Sequence, residues 1–207
     1  DDQHGTAVVV LSGLINALKV KNETVENQRI VINGAGAAGT AIAELLHGYG
    51  FLEIVLCDSK GIISQQRTDL NMSKQQLLEF TNPNNIAGSL SDALEKSTIF
   101  IGVSSANLLS AEMVKLMANK PIIFALANPI PEIMPDIAKN AGAFIVATGR
   151  SDFPNQINNV LAFPGIFKGA IENKVRRITE QMLINAAKAL ADCVQQPTPE
   201  QIIPDPF

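Results

Sequence analysis

The 207-residue chain carries 16 Lys and Arg against 20 Asp and Glu, a formal charge of −4, so no global positive field exists to hold nucleic acid or an anionic membrane. At 46% apolar and 17% charged it can bury a substantial core, which argues against disorder, and the low charge points to a face that another domain or subunit covers. Fourteen Gly and 11 Pro are an ordinary share that excludes collagen-like or low-complexity architecture, and one domain over 1–207 is expected.

From the N-terminus, Ala7, Val8, Leu11, Leu14, Ile15 and Leu18 recur at helical spacing over 5–18, with Thr6 placed to cap a largely buried helix. Residues 29–33 read as a short β-branched strand, and the glycine-rich stretch 34–39 opens a helix through about His47 with Ile42, Leu45 and Leu46 inward. Gly50 stops that helix, and 53–57 forms a second strand ending at Asp58. The polar run 59–71 reads as loop, Ser73 as the cap of a helix to about Phe80, and Asn82-Pro83-Asn84-Asn85 as its end. A short helix over 91–96, a strand over 98–103, a helix over 110–118 and a strand over 121–126 continue the alternation. Pro129, Pro131 and Pro135 rule out a long helix, 136–140 gives at most two turns, and 143–147 supplies a further strand. The pattern then turns helical over 157–162, 164–173 and 177–194, ahead of a Pro-rich tail. Strands joined by connections too long for hairpins predict an α/β fold: a Rossmann-type doubly wound parallel sheet with extra C-terminal helices, working at the carboxyl ends of its strands.

Two cysteines, Cys57 and Cys193, make neither a disulfide framework nor a zinc-like cluster, and read as reduced cytoplasmic thiols. Asp1-Asp2-Gln3-His4 is no signal sequence and no apolar stretch reaches a membrane span, so a soluble, cytoplasmic protein is expected. The chain opens without Met, which leaves an address signal upstream open.

Gly34-Ala35-Gly36-Ala37-Ala38-Gly39 matches GxGxxG: Gly34 for the tight turn, Gly36 for close approach of a pyrophosphate, Gly39 for helix-on-strand packing. The N–H groups of the helix start attract the anion. Asp58 closes the next strand, 22 residues beyond Gly36, at the spacing of a carboxylate that accepts from the adenosine ribose hydroxyls. Asp58 would repel a 2′-phosphate, whereas Ser59 and Lys60 can help hold one; the balance leans to NAD over NADP, and Lys60 reads equally as a solvated loop lysine. Asp1-Asp2 can offer hard oxygens to Mg²⁺ or Mn²⁺, although a carboxylate pair at a helix start more often complements the helix dipole. His4 and His47 read as structural. Asn128, the Asn158-Asn159 pair and the segment 102–107 follow strand ends, where side-chain amides suit a nicotinamide carboxamide or substrate carboxylates, or equally Asx-turn and capping roles.

Several strings are more specific than the glycine fingerprint: Asp1-Asp2-Gln3-His4-Gly5-Thr6-Ala7, Ile32-Asn33 into the glycine turn, and Cys57-Asp58-Ser59-Lys60-Gly61. To these add Phe124-Ala125-Leu126-Ala127-Asn128-Pro129 and Thr148-Gly149-Arg150-Ser151-Asp152 running into Pro154-Asn155-Gln156-Ile157-Asn158-Asn159-Val160. Over nearly its whole length the chain resembles the C-terminal NAD(P)-binding domain of malic enzyme in its small bacterial-type form. The resemblance implies oxidative decarboxylation of malate to pyruvate and CO₂ with NAD or NADP and a divalent cation, in a homodimer. It makes Asp2 a metal ligand, Asp1 a neighbouring carboxylate that orients the site, and Asn128 and Asn159 lining residues of the substrate and nicotinamide pocket with Asn158 beside them. The family's general-base lysine, general-acid tyrosine and Glu-Asp ligand pair belong to an upstream catalytic domain absent from this chain, and Tyr49 matches no catalytic position. This piece is therefore expected to bind dinucleotide and to turn over malate negligibly alone. An amino-acid dehydrogenase nucleotide domain and a non-catalytic dinucleotide-binding regulatory module are the competing readings.

Overall fold

In a computed structural model, which describes residues 3–205, the β-branched run becomes β1 (Arg29–Asn33) with the bounds expected. The other strands are β2 (Glu53–Asp58), β3 (Gly61–Ile62), β4 (Ile99–Gly102), β5 (Ile122–Ala125) and β6 (Ile145–Thr148), in one sheet of order β3-β2-β1-β4-β5-β6. All pairings are parallel except β2 with β3. The antiparallel β3 lies within the run expected to be loop. Two residues long and defined by pairing to Cys57 and Asp58, it leaves no periodic signal in the sequence.

Strand residues alternate between two covered faces, as a parallel sheet requires. Ile30, Ile32, Ile54, Leu56, Ile101 and Phe124 face a core built with α1 (His4–Lys21), α2 (Ala37–Tyr49) and α8 (Glu180–Asp192). Val31, Val55, Phe100, Ile123 and Val146 face the opposite core, covered by α4 (Leu90–Leu94), α5 (Ala111–Leu116) and α6 (Pro135–Asn140). Helices on both faces make this the doubly wound architecture expected. Helix α1 is buried nearly all round, consistent with an apolar sequence that shows no polar face, because it packs against both α2 and α8.

Local chemistry departs from expectation in three places. Helix α1 starts at His4, so Thr6 lies inside it. Helix α3 (Met72–Leu77) is capped by Asn71, whose side-chain oxygen accepts the Lys74 N–H at 3.0 Å; Ser73 is within the helix. Residues 157–162 do not form an α-helix: Gln156 bridges to Thr148 and the Ile157 N–H donates to the Thr148 carbonyl, leaving room only for a 3₁₀ turn at Asn159–Leu161 before α7 (Phe163–Glu172). No described helix is long and apolar enough to cross a membrane.

Two buried asparagines fasten the C-terminal segment. Asn16 Nδ2 donates to the carbonyls of Ala191 (2.8 Å) and Ile202 (2.9 Å). Asn155 Nδ2 donates to those of Val146 (3.1 Å) and Pro199 (2.8 Å), while its Oδ1 accepts the Ile202 N–H (2.9 Å).

Candidate functional site

The order β2-β1-β4 puts the switch in chain direction at the carboxyl end of β1, where a crevice opens between the loops that leave neighbouring strands. A cleft of about 700 Å³ lies there, lined by Gly34, Ala35, Gly36, Asp58 and Ser59 from the expected set. Gly34 has φ of 122°, and a Cβ on it would stand 2.7 Å from the Val103 carbonyl oxygen. Its N–H donates to the Cys57 carbonyl at 2.9 Å, which ties the turn between β1 and α2 to the end of β2. A Cβ on Gly39 would overlap the Gly34 carbonyl oxygen, so the third glycine lets α2 close onto the turn. A Cβ on Gly36 would meet no described atom within 4 Å: this backbone faces open space. Gly36 caps α2, and Ala37, Ala38 and Gly39 form its first turn, whose N–H groups have no acceptor within a helix.

Asp58 sits where expected but not as a free acceptor. Its Oδ1 accepts the Lys60 N–H (2.9 Å) and Arg67 Nη1 (2.8 Å); its Oδ2 accepts Arg67 Nη2 (3.1 Å) and Lys74 Nζ (2.5 Å). Arg67 extends the network to Asp69 through Nε (2.9 Å) and Nη2 (2.9 Å), and Lys60 Nζ reaches the same carboxylate at 2.7 Å. Three cations thus surround two carboxylates, one positive charge in excess. Burial pushes the Asp58 pKa up, but the hydrogen bonds from Arg67, then Lys74 and the Lys60 N–H, outweigh it and hold the carboxyl down at about 2. Arg67 is pushed up by Asp69 and Asp58, and Asp69 is pulled down by Arg67 and Lys60. The neighbouring Cys57 thiol is driven up to about 12 by burial and then by the Asp58 charge, so it is not a nucleophile at neutral pH.

This network makes the fold sensitive to acid. The Asp58 pKa is depressed from 3.8 to about 2 and the side chain is 10% exposed, so its stabilisation is present above pH 4 and lost as pH falls through about 2. Urea unfolding of the wild type and Asp58→Asn should differ by about 2 kcal/mol at pH 5, narrowing steadily towards pH 2. A difference independent of pH would contradict the assignment.

The other expected residues are distributed along the same carboxyl edge. Asn128 follows β5, is exposed, and precedes a cis peptide to Pro129; its Nδ2 lies 3.3 Å from where a Gly149 Cβ would be. Asn158 caps the 3₁₀ turn, its Oδ1 accepting the Val160 N–H at 3.0 Å, and Asn159 is the first residue of that turn. Neither these two nor Asn128 lines the cleft that holds the glycine turn. Asp1 and Asp2 lie outside the described residues. Among the described residues no three His, Cys, Asp or Glu side chains come together as a metal centre.

Sequence reasoning missed Arg67 and Lys74, which face Asp58 from the polar loop and from α3. Ser104 lies in the stretch 102–107 expected at a strand end, and its hydroxyl accepts from Asn33 Nδ2 at 3.0 Å beside the turn.

Residues 3–205 match the family model "Malic enzyme, NAD binding domain". The chain is 52% identical over 210 residues to the bifunctional malic/malolactic enzyme of Bacillus subtilis, covering 100% of the chain and 51% of that protein. It is 41% identical over 226 residues to the NADP-dependent malic enzyme of Escherichia coli, covering 100% of the chain and 30% of that protein. The crystal structure of the NAD-dependent malic enzyme of Thermotoga maritima superposes with a TM-score of 0.96 at 50% identity, over 100% of this chain and 55% of that one. A glutamate dehydrogenase superposes at a TM-score of 0.56 and 14% identity over 91% of this chain and 46% of that one, a likeness of fold alone. The chain spans about half the length of the first relative and less than a third of the second. On the match across 3–205 and these identities, the chain belongs to the family of malic enzyme NAD-binding domains.

Proposed function

We propose that this chain holds the dinucleotide of a malic enzyme and that, within a longer protein, it takes part in oxidative decarboxylation of malate to pyruvate and CO₂ with a divalent cation. The observation that carries the reading is the open backbone at Gly36, set at the start of α2 in the same cleft as Asp58. A pyrophosphate would lie on the first-turn N–H groups, with the adenosine half over β2 and the nicotinamide half towards β4 and β5. The coenzyme, when bound, supplies the hydride acceptor. Asn128 and Asn159 would orient the nicotinamide and substrate from the carboxyl edge, with Asn158 steadying the 3₁₀ turn. Asp1 and Asp2 would contribute to the cation site.

Both coenzymes fit this reading. The repulsion of a 2′-phosphate expected from Asp58 is offset by Arg67, Lys74 and Lys60, and the surplus positive charge favours NADP. Ser59 lines the cleft beside them. The longer protein would be a cytoplasmic homodimer whose other domain supplies the lysine base and tyrosine acid.

Fluorescence titration with NADH and NADPH, paired with a malate-dependent reduction assay, tests the reading. The chain alone should bind dinucleotide without turnover, and activity dependent on Mg²⁺ or Mn²⁺ should appear once the upstream portion is joined. Failure to bind either dinucleotide, or turnover by the chain alone, would refute it. Continued inertness of the longer protein would favour a regulatory dinucleotide-binding module.

A further inference from the structure

Glu132 is a carboxylate buried without a counter-charge. It is 0% exposed, and no described Lys or Arg forms an ion pair with it. Burial pushes its pKa up, opposed by the backbone N–H groups of Ala127 and Ser104. Removing such a group from water is costly, and the two backbone N–H groups it accepts from offset part of that cost.

Those contacts join two loops. Oε1 accepts the Ser104 N–H at 3.1 Å, from the segment that leaves β4, and Oε2 accepts the Ala127 N–H at 3.1 Å, from the segment that leaves β5. The backbone reinforces the junction: Leu109 N–H donates to the Glu132 carbonyl (3.0 Å) and Asn107 N–H to that of Pro131 (3.1 Å). Gly102, at the end of β4, makes room, since a Cβ there would overlap the Glu132 carboxyl carbon. A glutamine of the same shape offers only one acceptor oxygen, and its NH₂ would oppose the second N–H; only a carboxylate accepts from both.

Each loop carries part of the proposed site. The β4 segment lines the dinucleotide cleft through Ser104, Ser105 and Leu108, and touches the glycine turn through Val103 and the Asn33–Ser104 hydrogen bond. The β5 segment carries Asn128, one residue beyond the amide that Glu132 accepts. We propose that Glu132 is a positioning residue for the nicotinamide half of the coenzyme, its carboxylate fixing the β4 loop of the cleft against the β5 loop that presents Asn128. This rests on the dinucleotide reading above and adds to it which end of the coenzyme the buried carboxylate governs.

The test compares NADH with ADP-ribose, which keeps the adenosine and diphosphate but lacks the nicotinamide, on the wild-type chain and Glu132→Gln. Glu132→Gln should weaken NADH by about tenfold and leave ADP-ribose within about twofold. A purely structural Glu132 lowers Tm and moves both ligands equally or neither, and either result overturns the proposal. Wild-type chain that binds neither ligand overturns the dinucleotide reading, and the proposal with it. Should Glu132→Gln not fold, amide hydrogen exchange on the wild type decides. NADH must slow exchange at both Ser104 and Ala127 more than ADP-ribose does; equal protection by the two ligands sinks the assignment.

Discussion

Replacing Gly39 by valine is expected to abolish dinucleotide binding and to destabilise the fold by about 3 kcal/mol or more, whereas Gly36→Ala should spare the fold and still weaken binding by at least about tenfold. Any Cβ at 39 overlaps the Gly34 carbonyl oxygen, an obstacle of backbone and not the flexible end of a side chain. The turn cannot retreat, because Gly34 is held by its N–H to Cys57 and already lies against the Val103 carbonyl. At Gly36 the same addition meets no described atom, so the protein has no internal reason to resist it. A methyl there would intrude only on a ligand drawn to the α2 start. Thermal unfolding and NADH titration of the two variants separate the cases. A Gly36→Ala chain that binds as tightly as wild type would move the diphosphate away from this turn.

Arg67→Ala is expected to weaken NADPH by about 10- to 100-fold and to change NADH by less than about threefold. In the native cluster Arg67 covers one lone pair on each Asp58 oxygen and bridges to Asp69. Its removal leaves two cations facing two carboxylates and restores acceptor capacity on Asp58, which suits a ribose diol and disfavours a phosphate dianion. Asp58→Asn changes the charge in the opposite direction and should tighten NADPH relative to NADH. Titrations in which the NADPH to NADH ratio stays constant across both variants would remove the cluster from coenzyme selection.

The elements that could be read from sequence were those set by local periodicity. β1 needed only its β-branched run, and the glycine turn declared itself because backbone constraints at Gly34 and Gly39 tolerate no side chain. Asp58 was found by spacing, but its environment was not: Arg67 lies in a polar stretch whose composition says only loop, and its contact with Asp58 depends on how β3 folds that stretch back. Glu132 was hidden for a related reason. It lies among three prolines that rule out a long helix and carry no burial signal, and only the convergence of the β4 and β5 loops buries it. The helix expected at 157–162 failed because Gln156 and Ile157 pair with Thr148, a tertiary contact that outweighs helical spacing.

The way Asn155 fastens the C-terminal segment bears on how the molecule avoids its neighbours. A parallel sheet with a bare outer strand offers a ladder of unpaired amides on which another chain can grow towards a fibril. On one flank, Thr148 pairs with Gln156 and Ile157, and Asn155 draws Pro199 and Ile202 across the same margin. On the other, the terminal strand is two residues long and runs against its partner, too short a template for recruitment. One flank is thereby blunted by the 155–157 segment and the Asn155 side chain, the other by the shortness and reversed direction of its last strand.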